Sequence, residues 1–186
     1  MAKVLIPLAK GCEELEAVTL IDLLRRANIT VITASLTAHR QVKASRGVQL
    51  VADVALEDVM FDDFDMMVLP GGQPGTDNLN NDPHIHATLK RLVVNNKAVA
   101  AICAAPLVLA KAGLLDGKKA TCYPGVLDEQ AWPTITLTTD SIVIDDNILT
   151  SKGPGTAMDF ALTIIEYLLD KPARLDVEAG LIRTTD

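Results

Sequence analysis

Four short runs of mostly apolar residues, at 4–9, 30–36, 66–69 and 99–103, alternate along this chain with longer segments of helical periodicity. The runs are too short to be helices, and the first and last read as strands buried on both faces. The helical segments fall at 13–27, 83–95, 105–112 and 156–169, with a weaker one at 172–181. Strands alternating with helices predict an α/β fold with a mostly parallel sheet covered on both faces. Residues 134–137 and 141–150 read as a later β-hairpin or edge addition. Thr156 and Asp159 stand in capping-box spacing at the start of the fourth helix.

With 186 residues and no internal repeat or linker, the chain is read as one domain over 1–186. Aromatic residues are only 3% of it, so Ala, Val, Leu and Ile must build the core. A net charge of -7 and a pI near 4.9 supply no basic field for phosphate backbones or anionic lipid, so nucleic acid is not an expected partner. The most apolar stretch, 98–110, is broken by Pro106 and is shorter than a membrane-spanning helix requires. The N-terminus enters a strand directly without an export-signal pattern, which gives the expectation of a cytoplasmic protein. Cys12, Cys103 and Cys122 are an odd set with no zinc-binding spacing, expected as reduced thiols.

Residues 98–106 place Cys103 where a strand runs into a helix, among small residues that permit a sharp turn. At such an elbow the helix N-terminus favours a negative charge, so Cys103 is expected to be exposed and partly ionised. A structural cysteine in an Ala-rich strand is equally compatible with the position alone. Pro70-Gly71-Gly72 ends another strand on the same carboxyl edge of the sheet. There the N–H of Gly72, with that of Ala104, is placed to form an oxyanion site. In the helix at 13–27, a 100° wheel puts Ala17, Leu20, Ile21, Leu23, Leu24 and Ala27 on one apolar arc. Glu16 falls inside that arc, where lost hydration favours its protonated form. Glu13 and Glu14 are ordinary first-turn acids. The opposite arc mixes Leu15 and Val18 with Asp22, Arg25 and Arg26, which suits either a dimer interface or scattered surface residues.

Four segments, 10–16, 69–72, 100–106 and 149–156, resemble in order those of the ThiJ/PfpI superfamily. The resemblance is nearest the branch that holds YajL and the parkinsonism-associated protein deglycase. It implies a flavodoxin-like three-layer α/β/α sandwich and a homodimer. It also implies that Cys103 is the reactive thiolate, Glu16 the protonated acid beside it, and Gly72 and Ala104 the backbone donors. Asp22, Arg26 and Arg46 match positions near the subunit interface and the mouth of the site. Where many relatives carry a histidine near the cysteine, this chain has Tyr123. His39, His84 and His86 all precede the elbow, so a cysteine-histidine protease lacks its base. His84 and His86 lack the further ligands a metal site needs.

The activity the resemblance implies is a cofactor-independent glyoxalase or protein deglycase in carbonyl and oxidative stress defence. Its substrates would be methylglyoxal, glyoxal or the early adducts these form with protein side chains. The competing expectation is an oxidative-stress sensor or chaperone built on the same cysteine, with Cys122 as a candidate resolving thiol.

Overall fold

The computed structural model describes residues 1–183. Its strands are β1 (Lys3–Leu8), β2 (Thr30–Ser35), β3 (Gln41–Lys43), β4 (Gln49–Val51), β5 (Val54–Ala55), β6 (Met66–Leu69), β7 (Ala98–Ile102), β8 (Lys119–Ala120), β9 (Thr136–Leu137), β10 (Ile142–Asp145) and β11 (Ile148–Ser151). The helices are α1 (Glu14–Arg26), α2 (Leu56–Val59), α3 (Gly75–Asn81), α4 (Pro83–Val94), α5 (Pro106–Lys111), α6 (Ala157–Leu168) and α7 (Lys171–Gly180).

Seven strands form the main sheet in the order β10-β11-β7-β6-β1-β2-β5. Every pairing in it is parallel except β10 with β11. Side chains alternate across the sheet, and the core divides accordingly. Val4, Ile6 and Leu8 pack with α1 and α6 residues such as Leu20 and Phe160. Leu5 and Ala9 point the other way, toward Ile85, Leu89 and Leu109 of α4 and α5. The result is the expected three-layer α/β/α sandwich with a mostly parallel sheet.

The late segment differs from its sequence reading. Residues 142–151 do form a hairpin, but β11 is a full member of the sheet, parallel to β7 from Ile148 opposite Val99 to Ser151 opposite Ile102. Thr136 and Leu137 leave that hairpin and pair with β8. A separate small antiparallel hairpin joins β3 to β4. Thr156 does not cap α6: its hydroxyl bonds the Gly153 carbonyl at 2.9 Å and Ser151 Oγ at 2.7 Å, closing a 3-10 turn before the helix. Only Lys152 and Gly153 separate β11 from that turn.

After β1 the chain builds outward to β2 and β5, then returns to the other side of β1 through β6, β7 and β11. The strand order therefore reverses between β1 and β6, and their carboxyl ends open a crevice there. Among the described residues, no helix is long and apolar enough to cross a membrane.

Candidate functional site

Three connections converge on this crevice: the turn from β1 into α1, the Pro70-Gly71-Gly72 turn after β6, and the elbow after β7. Cys103 takes the left-handed backbone conformation, with φ 63°, as a nucleophile at a strand-to-helix corner does. Its N–H donates to the Ser151 carbonyl at 2.9 Å and its carbonyl accepts from the Tyr123 N–H at 2.8 Å. β11 and the segment after β8 thereby fix the elbow from both sides.

Glu16 is fully buried, at 0% exposure, on the inner face of α1 with Ala17, Leu20, Leu23 and Leu24. Its Oε2 accepts the Gly71 N–H at 2.8 Å. A Cβ on Gly71 would stand 2.7 Å from Cys103 Cβ and 2.9 Å from Glu16 Oε2, so the backbone here packs tightly against both acid and thiol. Gly72 has φ 90°, and a Cβ on it would meet the Glu13 nitrogen at 2.4 Å, so both turn glycines are required. Gly71 was the donor that sequence reasoning missed. The motif displayed it, but a backbone N–H carries no side-chain signal of its direction.

Cys103 is only 8% exposed, against the expectation of an exposed thiol, because the Gly71 turn closes over its Cβ. Burial pushes the Glu16 carboxyl up to about 7, against lowering contributions from the Gly71 N–H and the Cys103 thiol. Burial and an ionised Glu16 push the thiol up to about 12, while the N–H groups of Gly72 and Ala104 act to lower it. The pair therefore carries at most one negative charge near neutral pH.

The hydrogen bonding around the two groups differs. The N–H groups of Gly72 and Ala104 favour a charged sulfur, whereas the bond to an ionised Glu16 opposes it; a Glu16 that kept its proton would add a third donor. As a carboxylate, Glu16 would have Gly71 on Oε2 and nothing on its buried Oε1, which closes no sound hydrogen bond among the described residues. A proton on Oε1 turned to sulfur satisfies both groups and removes the repulsion that raises the thiol.

Four further positions were marked from the sequence. Tyr123 flanks the elbow with its ring half exposed, at 51%. Arg46 is exposed beside the start of α1, its backbone N–H donating to Glu14 Oε1 at 2.9 Å. The same turn brings Ser45 Oγ within 2.9 Å of Glu13 and 2.8 Å of Glu14. Asp22 and Arg26 pair with each other at 2.9 Å on the exposed face of α1. They lie about 9 and 15 Å along the helix from Glu16, so they do not join the site.

Cys122 packs in the core on the α4 and α5 side of the sheet, whereas Cys103 belongs to the α1 and α6 side. Both are free thiols. His84 lies by Asp82 and His86 by the Asn80 carbonyl, both at the start of α4.

The chain that carries this acid and cysteine matches a known family over most of its length. The DJ-1/PfpI family profile covers residues 2–167. The chain belongs to the DJ-1/PfpI family. Protein dj-1beta of Drosophila melanogaster is 40% identical over 178 residues, covering 96% of this chain and 95% of the relative. The glutathione-independent glyoxalase DJR-1.2 of Caenorhabditis elegans is 38% identical, covering 90% of this chain and 88% of the relative. Protein DJ-1 homolog B of Arabidopsis thaliana is 42% identical over 97% of this chain, but the match spans only 41% of that relative's length. The DJ-1/PfpI fold is equally close: the crystal structure of Drosophila melanogaster DJ-1beta superposes with a TM-score of 0.94, at 40% identity over 99% of both chains. Oxidized Toxoplasma gondii DJ-1 gives 0.93 at 36% identity, over the whole of each chain.

Proposed function

We propose that this protein is a cysteine-dependent, cofactor-independent glyoxalase or deglycase acting on methylglyoxal, glyoxal or their early protein adducts. The observation that carries the reading is the Cys103–Glu16 pair, in which one buried acid lies within proton-transfer reach of one buried thiol. The Caenorhabditis elegans relative, named a glutathione-independent glyoxalase, supports the same chemistry.

With methylglyoxal, the Cys103 sulfur adds to the aldehyde carbon, and the carbonyl π pair becomes an alkoxide held by the Gly72 and Ala104 N–H groups. Glu16 gives that oxygen its proton, which completes a hemithioacetal and leaves Glu16 as carboxylate. The carboxylate removes the proton from the former aldehyde carbon, forming an enediol, and returns it to the adjacent carbon. The product is a lactoyl thioester on Cys103. Water cleaves its carbon–sulfur bond to lactate and restores the thiol and the acid, so methylglyoxal and one water become lactic acid with no redox partner. A Glu16 carboxyl near 7 suits both directions of proton transfer at neutral pH. With Tyr123 in place of a histidine, Glu16 carries these transfers alone.

Lactate measured directly, rather than loss of methylglyoxal, is the test. Cys103→Ser abolishes it and Glu16→Gln lowers it about 10²–10⁴-fold; equal rates in wild type and Cys103→Ser end the proposal. We place this activity in the cytoplasm, in a homodimer whose contact uses the exposed Leu15, Val18 and Met158.

A second reading is an oxidant sensor. A member of the family has been solved in an oxidized form, and the donors around Cys103 suit a sulfinate as well as a thiolate. Two peroxide molecules would each give one oxygen to sulfur and leave as water. Mass spectrometry after mild peroxide treatment decides it: two oxygens on Cys103 alone, without lactate turnover, favour the sensor, and equal oxidation of all three cysteines removes it.

A further inference from the structure

Three acids, Glu13, Glu14 and Glu16, crowd the start of α1, and two of them are gathered by a residue from outside the helix. Ser45 lies in the turn between β3 and β4, with its Oγ 2.9 Å from Glu13 Oε2 and 2.8 Å from Glu14 Oε2. A serine hydroxyl has one proton to donate, so it cannot satisfy both carboxylates at once. Glu14 has other donors, the Arg46 N–H at 2.9 Å and the Val48 N–H at 3.4 Å. The Glu13 carboxyl makes no cap on α1 and turns to Ser45 instead. The helix dipole does not require this crowding, since it favours acids in the first turn wherever their side chains point. A local arrangement that stability leaves unexplained marks a place where position matters.

The position at stake is that of Glu16. Ser45 fastens the chain just before α1, its N–H donating to the Cys12 carbonyl at 2.8 Å, and the Gly11 N–H donates to the Lys43 carbonyl at 2.8 Å. From Glu13 the bonding continues inward. The Glu13 N–H donates to the Gly71 carbonyl at 2.9 Å, and the Gly71 N–H donates to Glu16 Oε2 at 2.8 Å. The β3–β4 turn is thus joined to the acid through Glu13 and Gly71.

We propose that Ser45 is a positioning residue of the Cys103–Glu16 centre: its hydroxyl, shared between Glu13 and Glu14, locks the first turn of α1 against the β3–β4 hairpin and so holds the Glu16 carboxyl at sulfur. This rests on the reading of Cys103 and Glu16 as the reacting pair. The same bond keeps the charge of Glu13 beside Glu16, which favours Glu16 keeping its proton. Cys12, Cys103 and Glu13 are the titratable groups coupled to Glu16.

The test compares wild type with Ser45→Ala, at a half-buried position, and Ser45→Thr, which keeps the hydroxyl. The readouts are the pH profile of Cys103 alkylation by iodoacetamide and the kinetics of lactate formation. Without the hydroxyl, Glu16 is no longer held where it can donate to sulfur. The alkylation midpoint of Ser45→Ala therefore rises by about one pH unit, toward the ordinary thiol value of 9.0. The kcat for lactate falls about tenfold with KM unchanged, and Ser45→Thr restores both readouts to within about twofold. In a Glu16→Ala background, Ser45→Ala adds no further shift, because the group it acts through is gone. An unmoved profile in Ser45→Ala, a Ser45→Thr variant no better than Ser45→Ala, or a shift that persists in full without Glu16 overturns the proposal and leaves Ser45 a hairpin tether. Wild-type Cys103 that iodoacetamide does not modify at any pH refutes the reacting pair and the positioning role with it. A profile that moves as expected in a protein that forms no lactate refutes the glyoxalase reading and leaves the positioning role standing.

Discussion

The Gly71 N–H donates to Glu16 Oε2 at 2.8 Å, in a turn where any side chain on residue 71 would collide with Cys103. The turn after β6 therefore does two things at once: it orients the acid and covers the thiol. Gly71→Ala must displace one or both. We expect at least a hundredfold loss of lactate formation, and destabilisation of about 1–3 kcal/mol from overpacking. Gly180→Ala, at a helix position where a Cβ meets nothing within 4 Å, should leave stability unchanged or slightly raised. Urea unfolding and the lactate assay on both variants check the pair.

Glu16 also makes stability depend on pH. Its carboxyl lies at about 7 in the folded chain against an ordinary 4.5, so the folded state binds this proton more tightly than the unfolded state. Its contribution is most favourable below 4.5 and is lost as pH rises through 7. Glu16→Gln removes that dependence. Relative to wild type, the variant should gain stability between pH 4.5 and pH 8, by up to about 3 kcal/mol. Denaturant midpoints at the two pH values measure the gain, and a constant difference would refute a buried acid that resists ionisation.

Asp53 works in the opposite sense. Burial alone would raise its carboxyl, but the Thr33 N–H and hydroxyl and the Arg25 guanidinium outweigh burial and hold it below its ordinary 3.8. All three bonds are 2.8–2.9 Å and join α1 and β2 to the residue just before β5. The stabilisation is complete above 3.8 and disappears as pH falls through the folded value. Asp53→Asn should therefore melt below wild type at pH 7, with the gap closing at pH 3. Because the pair is partly exposed, the difference is a few degrees rather than tens.

Much of this was readable in the sequence, for physical reasons that differ by element. The runs at β1, β2, β6 and β7 are apolar because both faces of a parallel strand are buried, and no other arrangement places such short runs. Glu16 stood out because an acid inside an apolar arc has no solvation-based explanation. Residues 75–81, rich in Gly, Asn and Asp, show no apolar periodicity, yet they form α3, whose N-terminus is held by the Thr76 N–H bond to the Gly72 carbonyl at 2.8 Å. The role of β11 was hidden because a strand that is half of a hairpin gives no local sign that its other edge joins a parallel neighbour. The cover over Cys103 was hidden for a similar reason: the elbow is local, but what closes it comes from 32 residues upstream at Gly71.

The account turns on where the pair keeps its one charge, and the alkylation rate of Cys103 by iodoacetamide, followed from pH 5 to pH 11, measures this most directly. With the pair's first proton, lost near 7, leaving sulfur rather than Glu16, the rate reaches its plateau soon above that pH, and Glu16→Gln, which keeps a neutral donor, retains it within about tenfold while losing lactate formation. A rate that stays low through neutral pH and climbs only toward the value near 12, expected beside an ionised Glu16, would contradict it.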